Sequence, residues 1–395
     1  MSDLENQVEL LRVEHIEKIY GRNRKEAAEF AAKGMEKENI REKTGATLAL
    51  WDINLSINQG EVFVIIGLSG SGKSTLVRFF NLLHLPTAGR ILYAGKDLLS
   101  LKKKELIDFR RKKVSMVFQH FGLMSHRNVI DNVAYGLEVV GLSKEERYAR
   151  AKEVLHLVGL NGIEQQSIAS CSGGMKQRIG LARALASDTE VLLMDEPFSA
   201  LDPLVRKEMQ FELLTIQRRL KKTIIFITHD MDEAFKLGDR IAILREGRLI
   251  QVATPQEMIS NPADEYVKTF IQSADKTKVV CVSQIMQTPT CVVRDTDVSK
   301  RALQEMKSNS VSTAYVVDKK MKLLGIVTAS AALEALESDK LVKDYMLSEV
   351  PMVDINAIIA DILPHAVSSP YPLAVVEDGM LRGIVTKASV ISTMI

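Results

Sequence analysis

Gly67-Leu68-Ser69-Gly70-Ser71-Gly72-Lys73-Ser74-Thr75 reads G-x-x-x-x-G-K-[ST] from end to end. A tight turn at Asn58-Gln59-Gly60 leads into Glu61 to Ile66, a short apolar run of the kind buried in a parallel sheet. After the motif, Thr75 to Leu83 carries the apolar spacing of a helix. Strand, glycine loop and helix in this order are the setting in which the motif holds phosphate. Gly67, Gly70 and Gly72 let backbone N–H groups curl around an anion without a Cβ in the way, with Ser69, Ser71 and Thr75 completing the cradle. The helix N-terminus adds partial positive charge. Lys73 supplies a full charge to the β- and γ-phosphates, and the Ser74 hydroxyl is the expected Mg²⁺ ligand. A purely structural glycine turn has no need of the lysine and the hydroxyl.

Val191 to Glu196 is a second buried strand, and it ends in two acids. Parallel strands end where ligands bind, so the acids are expected beside the phosphate loop, Asp195 holding Mg²⁺ and Glu196 polarising the attacking water. Helical and strand patterns alternate as far as about Ile250, which predicts an α/β domain with a largely parallel sheet. Val8 to Tyr20 and Leu48 to Ile57 read as strands, with Gly21 to Thr47, rich in charge and alanine, as one inserted and mostly exposed helix between them. Thr254 to Ala274 reads as a closing helical stretch punctuated by Asn261-Pro262.

Beyond Lys278 an internal repeat appears. Tyr315 to Asp318 and Gly325 to Ser330 recur as Ala374 to Glu377 and Gly383 to Ser389, and Val282 to Met286 is echoed by Val342 to Met346. The period is about 60 residues, which suggests a pseudo-symmetric pair packed as one module.

Composition narrows the function classes. A net charge of +2 over 395 residues does not point to nucleic acid, and the basic clusters Lys102 to Lys104 and Arg110 to Lys113 read as solvated helix faces. Cys171, Cys281 and Cys291 form neither a zinc pattern nor a disulfide framework, which suits a reducing compartment. Met1 to Leu10 is acidic and polar, unlike a secretory signal. The apolar runs, such as Val62 to Ile66, fall far short of the ~20 residues that span a bilayer, so a transport role needs a separate membrane subunit.

Cys171-Ser172-Gly173-Gly174-Met175-Lys176-Gln177-Arg178 resembles the signature of ABC transporter ATPases, with Cys171 in place of the usual Leu and Met175 in place of Gln. Ser172, Gly173 and Gly174 form a second anion site at a helix N-terminus. The resemblance implies that it contacts ATP held by the opposite subunit of a homodimer. The same resemblance assigns Gln119 to Mg²⁺ and to sensing the membrane subunit, Asp202 to the D-loop, His229 to the switch and Tyr20 to stacking on adenine. Asp202 before Pro203 also reads as a helix N-cap. The 21–47 insertion, Phe118 to Met124 and Asp131 to Glu138 together resemble the glycine betaine/proline betaine group of osmoprotectant importers, across residues 8 to 275. In that group the stretch after Gln119 docks on a coupling helix of the permease.

The repeated tail resembles a tandem CBS pair, divided as 276–338 and 339–395 after an ATPase domain at 1–275. Nucleotide-binding CBS repeats often carry an Asp three residues after the Thr. Here Ala331 and Ser389 stand there, which argues against simple AMP or ATP binding. Cyclic di-AMP is a candidate ligand near Tyr371, Ile384, Thr386 and Lys387, with a purely dimerising module as the alternative. The resemblance also implies sensing of ionic strength at an anionic membrane surface, for which the local patch Lys319, Lys320 and Lys322 is a candidate, since screening acts over ~8 Å at physiological salt. The resemblance thus implies a peripheral ATPase on the cytoplasmic face of the membrane, partnered by permease subunits that are fused to or work with a substrate-binding protein, for glycine betaine or for choline, carnitine or proline. Soluble ABC ATPases of DNA repair or translation usually carry a long coiled coil or two cassettes, and this chain shows neither pattern. A CBS-regulated ABC ATPase with no transport role stands as the other alternative, to be separated by association with a permease.

Overall fold

A computed structural model describes residues 8–119, 121–199, 201–272, 276–336 and 340–394. His120, Ala200 and Ala274, which fall within motifs named above, lie outside the described residues, as do the proposed domain junction at 275 and the repeat junction at 338. The chain divides into two compact units, Met1–Ser273 and Ala274–Ile395.

The first unit holds two sheets. One is antiparallel, ordered β2-β1-β4-β5, from β1 (Glu9–Tyr20), β2 (Thr47–Asn58), β4 (Ala88–Tyr93) and β5 (Lys96–Asp97). Sequence reading finds β1 and β2 as strands but does not assign them to a sheet of their own, because alternation does not identify a strand's neighbours, and the pairing of β1 with β2 shifts register repeatedly. At one of these irregularities His15 and Asp52 both take φ 49° and their side chains pair at 2.7 Å. The other sheet has the order β10-β9-β3-β8-β7-β6. It comprises β3 (Val62–Ile66), β6 (Val114–Val117), β7 (Val191–Asp195), β8 (Thr223–Thr228), β9 (Arg240–Arg245) and β10 (Arg248–Ala253). It is parallel from β9 to β6, and β10 returns antiparallel as a hairpin on β9.

Every residue of β3, β7 and β8 is buried. Each such apolar side chain contributes about 1.5–3 kcal/mol on leaving water, which places these strands at the centre of the sheet. Their ends are level, since Ile66 pairs with Thr228 and Asp195 with Ile227. Gly67, Glu196 and His229, the residues that follow each strand, therefore emerge at one edge.

The insertion is two helices, not one: α1 (Arg24–Ala32) and α2 (Lys37–Thr44). Gly34 at φ 79° makes the turn between them. The hairpin is not merely exposed. Ala27, Ala31 and Ile40 bury against Ile19, Ala46 and Leu48, with Phe30, Met35 and Trp51 packed alongside. The stretch after β10 likewise forms two helices, Pro255–Ser260 and Glu265–Gln272, parted at Pro262. Among the described residues no helix is long and apolar enough to cross a membrane.

The second unit contains two three-stranded sheets of identical pairing. β11 (Val292–Arg294), β12 (Thr313–Val317) and β13 (Leu323–Thr328) form one, and β14 (Met352–Asp354), β15 (Leu373–Glu377) and β16 (Met380–Val385) the other. The repeats exchange their leading segments. Gln287, after the first lead, bridges Ile384, whereas Leu347, after the second lead, bridges Ile326. The repeated glycines permit this exchange, because a Cβ on Gly325 would lie 2.5 Å from the Leu347 carbonyl oxygen and one on Gly383 would lie 3.1 Å from that of Gln287. A shared core of Tyr315, Ile326, Ala374 and Ile384 joins the two halves. The Tyr315 hydroxyl donates to the Pro372 carbonyl at 2.8 Å, and burial pushes the phenol up to about 12.

Candidate nucleotide site

The phosphate loop crosses from β3 into α3 (Lys73–Phe80). At two positions it has no space for a side chain. A Cβ on Gly67 would stand 2.2 Å from the Leu244 carbonyl oxygen, and one on Gly72, at φ 104°, would stand 2.6 Å from that of Ala49. Lys73 is 5% exposed, and its ammonium donates to the Gly67 and Leu68 carbonyls at 2.7 and 3.1 Å. Burial lowers its pKa, while the carboxylates of Glu196 and Asp195 oppose that shift. The Ser74 hydroxyl donates to Asp195 Oδ1 at 2.9 Å, and Arg78 lies 3.4 Å from Oδ2.

Glu196 follows β7 in a left-handed conformation, φ 46°, with its N–H donating to the Ile227 carbonyl at 3.2 Å. This turn aims the carboxylate across the strand ends. Glu196 Oε2 lies 3.3 Å from His229 Nδ1 and 3.5 Å from the Gln119 amide nitrogen, which donates to it. Ser199 Oγ donates to the Glu196 carbonyl at 3.0 Å and steadies the same turn. A cleft of about 800 Å³ opens here, with Tyr20, Lys73, Ser74, Gln119, Glu196 and His229 in its wall. Ser69, Gly70, Gly72 and Thr75 line it too. Its polar end offers a hydroxyl (Ser74) and an amide oxygen (Gln119), and the buried Asp195 carboxylate sits behind Ser74, a set of hard oxygen donors that suits Mg²⁺. Ser71 is 4% exposed, and its hydroxyl has no hydrogen-bond partner.

Sequence reading missed three residues of this wall: Lys37, Thr47 and Ala49. Lys37 belongs to the insertion, whose charged composition masks any single functional lysine. It also missed a network behind Glu196. The Glu233 carboxylate, 7% exposed, accepts from Thr228 Oγ1 at 2.6 Å and from Gln210 at 3.1 Å, and Arg206 Nε lies 3.8 Å away. Arg206 also donates to the Leu201 carbonyl at 3.2 Å, which ties the Asp202 turn to the His229 turn.

Ser172 caps the helix Gly173–Ala186, its hydroxyl accepting from the Met175 N–H at 3.3 Å. Gly174 abuts the neighbouring helix Pro203–Leu220, where a Cβ would meet Val205 at 2.9 Å. Asp202 caps that helix by accepting from the Val205 N–H at 3.1 Å. Cys171 is buried, and its thiol donates to the Ser167 carbonyl at 3.4 Å. None of Ser172, Gly173, Gly174 and Asp202 lines the cleft of its own chain.

In the second unit Tyr371 packs against the shared core, within which Ile384 is 3% exposed. Thr386 and Ser389 exchange hydrogen bonds at 3.0 Å, each hydroxyl accepting from the other's backbone N–H, which starts the helix Lys387–Met394. Lys387 Nζ donates to the Val367 carbonyl at 2.9 Å.

Comparison with known proteins matches residues 50–199 to the ABC transporter family and residues 282–338 to the CBS domain family. The glycine betaine/carnitine transport ATP-binding protein GbuA of Listeria monocytogenes is 46% identical over 391 residues, 97% of each chain. The glycine betaine/proline betaine transport system ATP-binding protein ProV of Escherichia coli is 41% identical over 389 residues, again 97% of each. Among solved structures, the dimeric ATP-binding cassette MJ0796, in a post-hydrolysis state bound to ADP and Pi, matches with a TM-score of 0.53 and 30% identity. That match covers 62% of this chain and 99% of the other.

Proposed function

Because this chain belongs to the ATP-binding subunits of the glycine betaine/proline betaine ABC transporter family, we propose that it hydrolyses ATP to drive uptake of glycine betaine or a related quaternary amine. The observation that carries this is Glu196 held between Gln119 and His229 beside the Lys73 loop. Tyr20 stacks on the base, the loop N–H groups and Lys73 hold the phosphates, and Glu196 takes a proton from the attacking water. His229 fixes the carboxylate and the γ-phosphate end. Ser74, Asp195 and Gln119 would hold Mg²⁺, which would supply charge neutralisation at the phosphates. The signature residues lie outside their own cleft, so a second copy of this chain completes each site with Ser172, Gly173 and Gly174. Closure of that homodimer passes through the stretch after Gln119 to the permease, which works with a substrate-binding protein, and the chain sits peripherally on the cytoplasmic face. Glu196→Gln should keep ATP binding and lower hydrolysis by about 10²–10⁴-fold, as measured by phosphate release. Hydrolysis at the parental rate would remove the assignment.

The second unit serves as the regulator in this reading. Cyclic di-AMP near Tyr371, Ile384, Thr386 and Lys387, or ionic strength acting through the exposed Lys319, Lys320 and Lys322, sets the rate. ATPase activity of the chain with its permease in anionic vesicles, measured with and without betaine at low and high salt, tests this. Betaine stimulation confined to high salt supports it, and indifference to betaine and salt opposes it. Calorimetric titration with cyclic di-AMP separates the two signals.

A further inference from the structure

Lys37 opens α2 of the inserted hairpin and is half-buried. Its ammonium donates to the Gly70 carbonyl at 2.9 Å, at the outer tip of the phosphate loop. Gly70 is otherwise open there, since a Cβ on it would meet nothing within 4 Å. The lysine hydrogen bond therefore holds the tip where packing does not.

The same side chain lies between two cavities. One is the nucleotide cleft of about 800 Å³. The other, about 600 Å³, lies between α2, the loop and the β9–β10 turn, with Glu36, Arg41, Arg245 and Tyr266 in its wall. The two cavities share Lys37, Thr47, Leu68, Ser69 and Gly70. An ammonium has three donor hydrogens. Gly70 takes one, and the other two are free to meet an anion that enters the cleft. Lys73, by contrast, is buried and hydrogen-bonded inside the loop. The hairpin is anchored well enough to present the charge. Asn23 donates to the Thr44 carbonyl at 2.9 Å, Arg248 donates to that of Ala31 at 3.2 Å, and the Ile40 core sits beneath.

We propose that Lys37 is a second phosphate-binding lysine, which contacts the nucleotide's phosphate chain from outside the loop and makes the inserted hairpin part of the ATP site. This rests on the reading that the cleft holds ATP. The test is calorimetric titration of the full-length chain, and of its Lys37→Ala and Lys37→Arg variants, with a non-hydrolysable ATP analogue and with adenosine, at two salt concentrations. Lys37→Ala should bind the analogue about 5–10-fold more weakly, as befits one partly exposed charge-assisted hydrogen bond. It should bind adenosine as the parent does, and its affinity should fall less with salt. Lys37→Arg should restore most of the loss. An unchanged thermal melt shows that the fold is intact. Unchanged affinity for the analogue in Lys37→Ala would overturn the proposal, and so would an equal loss for the analogue and adenosine, which marks a mere brace of the loop. A parental chain that binds neither probe would overturn the nucleotide reading itself.

Discussion

Glu196 pays for its position with backbone strain. A non-glycine residue in the left-handed region costs roughly 1–2 kcal/mol, and Glu196 holds φ 46°. Glu196→Gly should therefore melt no lower than Glu196→Gln while being equally inactive, a comparison that differential scanning calorimetry makes directly. Behind it, burial raises the pKa of Glu233 from its ordinary 4.5, against the hydrogen bond from Thr228 that lowers it. The folded chain then binds more protons than the unfolded chain just above pH 4.5, so this group's contribution to stability falls as pH rises through that window. Glu233→Gln should flatten that slope in denaturant titrations run at stepped pH. The thiols separate by burial: Cys171 and Cys291 are buried and Cys281 is intermediate. Burial pushes Cys291 up to about 11. A thiol reagent at pH 8 should modify Cys281 first, and the other two only on unfolding, as peptide mapping would reveal. Most of the site was legible because phosphate chemistry requires particular letters at fixed spacing. The conformation of Glu196 and the reach of Lys37 were not, since φ and a long side chain's direction depend on tertiary packing.

Single elements show the same division. The chain between β1 and β2 reads as continuous helix by composition, yet Gly34 turns it, and the small residues Ala27 and Ala31, one helical turn apart, allow close packing on Leu48. Ile40→Ala should cost about 2–5 kcal/mol within the hairpin, seen as faster amide exchange in α2 than in β3. The two long strands β1 and β2 were legible as strands, but their pairing into a separate antiparallel sheet was not, because alternation along a strand does not say which sheet it joins. In the tail the repeated letters did show two copies of one unit, but not that their leading segments cross over. That exchange is a tertiary choice, recorded in the sequence only as Gly325 and Gly383. Gly325→Ala, which would set a methyl 2.5 Å from the Leu347 carbonyl oxygen, should destabilise the second unit by about 1–3 kcal/mol. Urea unfolding of the full chain, followed by amide exchange in β13, would measure it.

At the scale of the whole molecule, two units with separate cores imply two unfolding events. A ligand that binds the folded first unit at 100 times its dissociation constant adds about 2.7 kcal/mol to that unit. ATP should raise one calorimetric transition and leave the other in place. The chain's single tryptophan, Trp51, decides which event light can report. Its indole packs beside the hairpin core in the first unit. Intrinsic emission excited at the indole band is therefore blind to the repeats. An emission melt and a far-ultraviolet dichroism melt of one sample should diverge: ATP should move the whole emission curve, but only one of the two transitions in the dichroism curve.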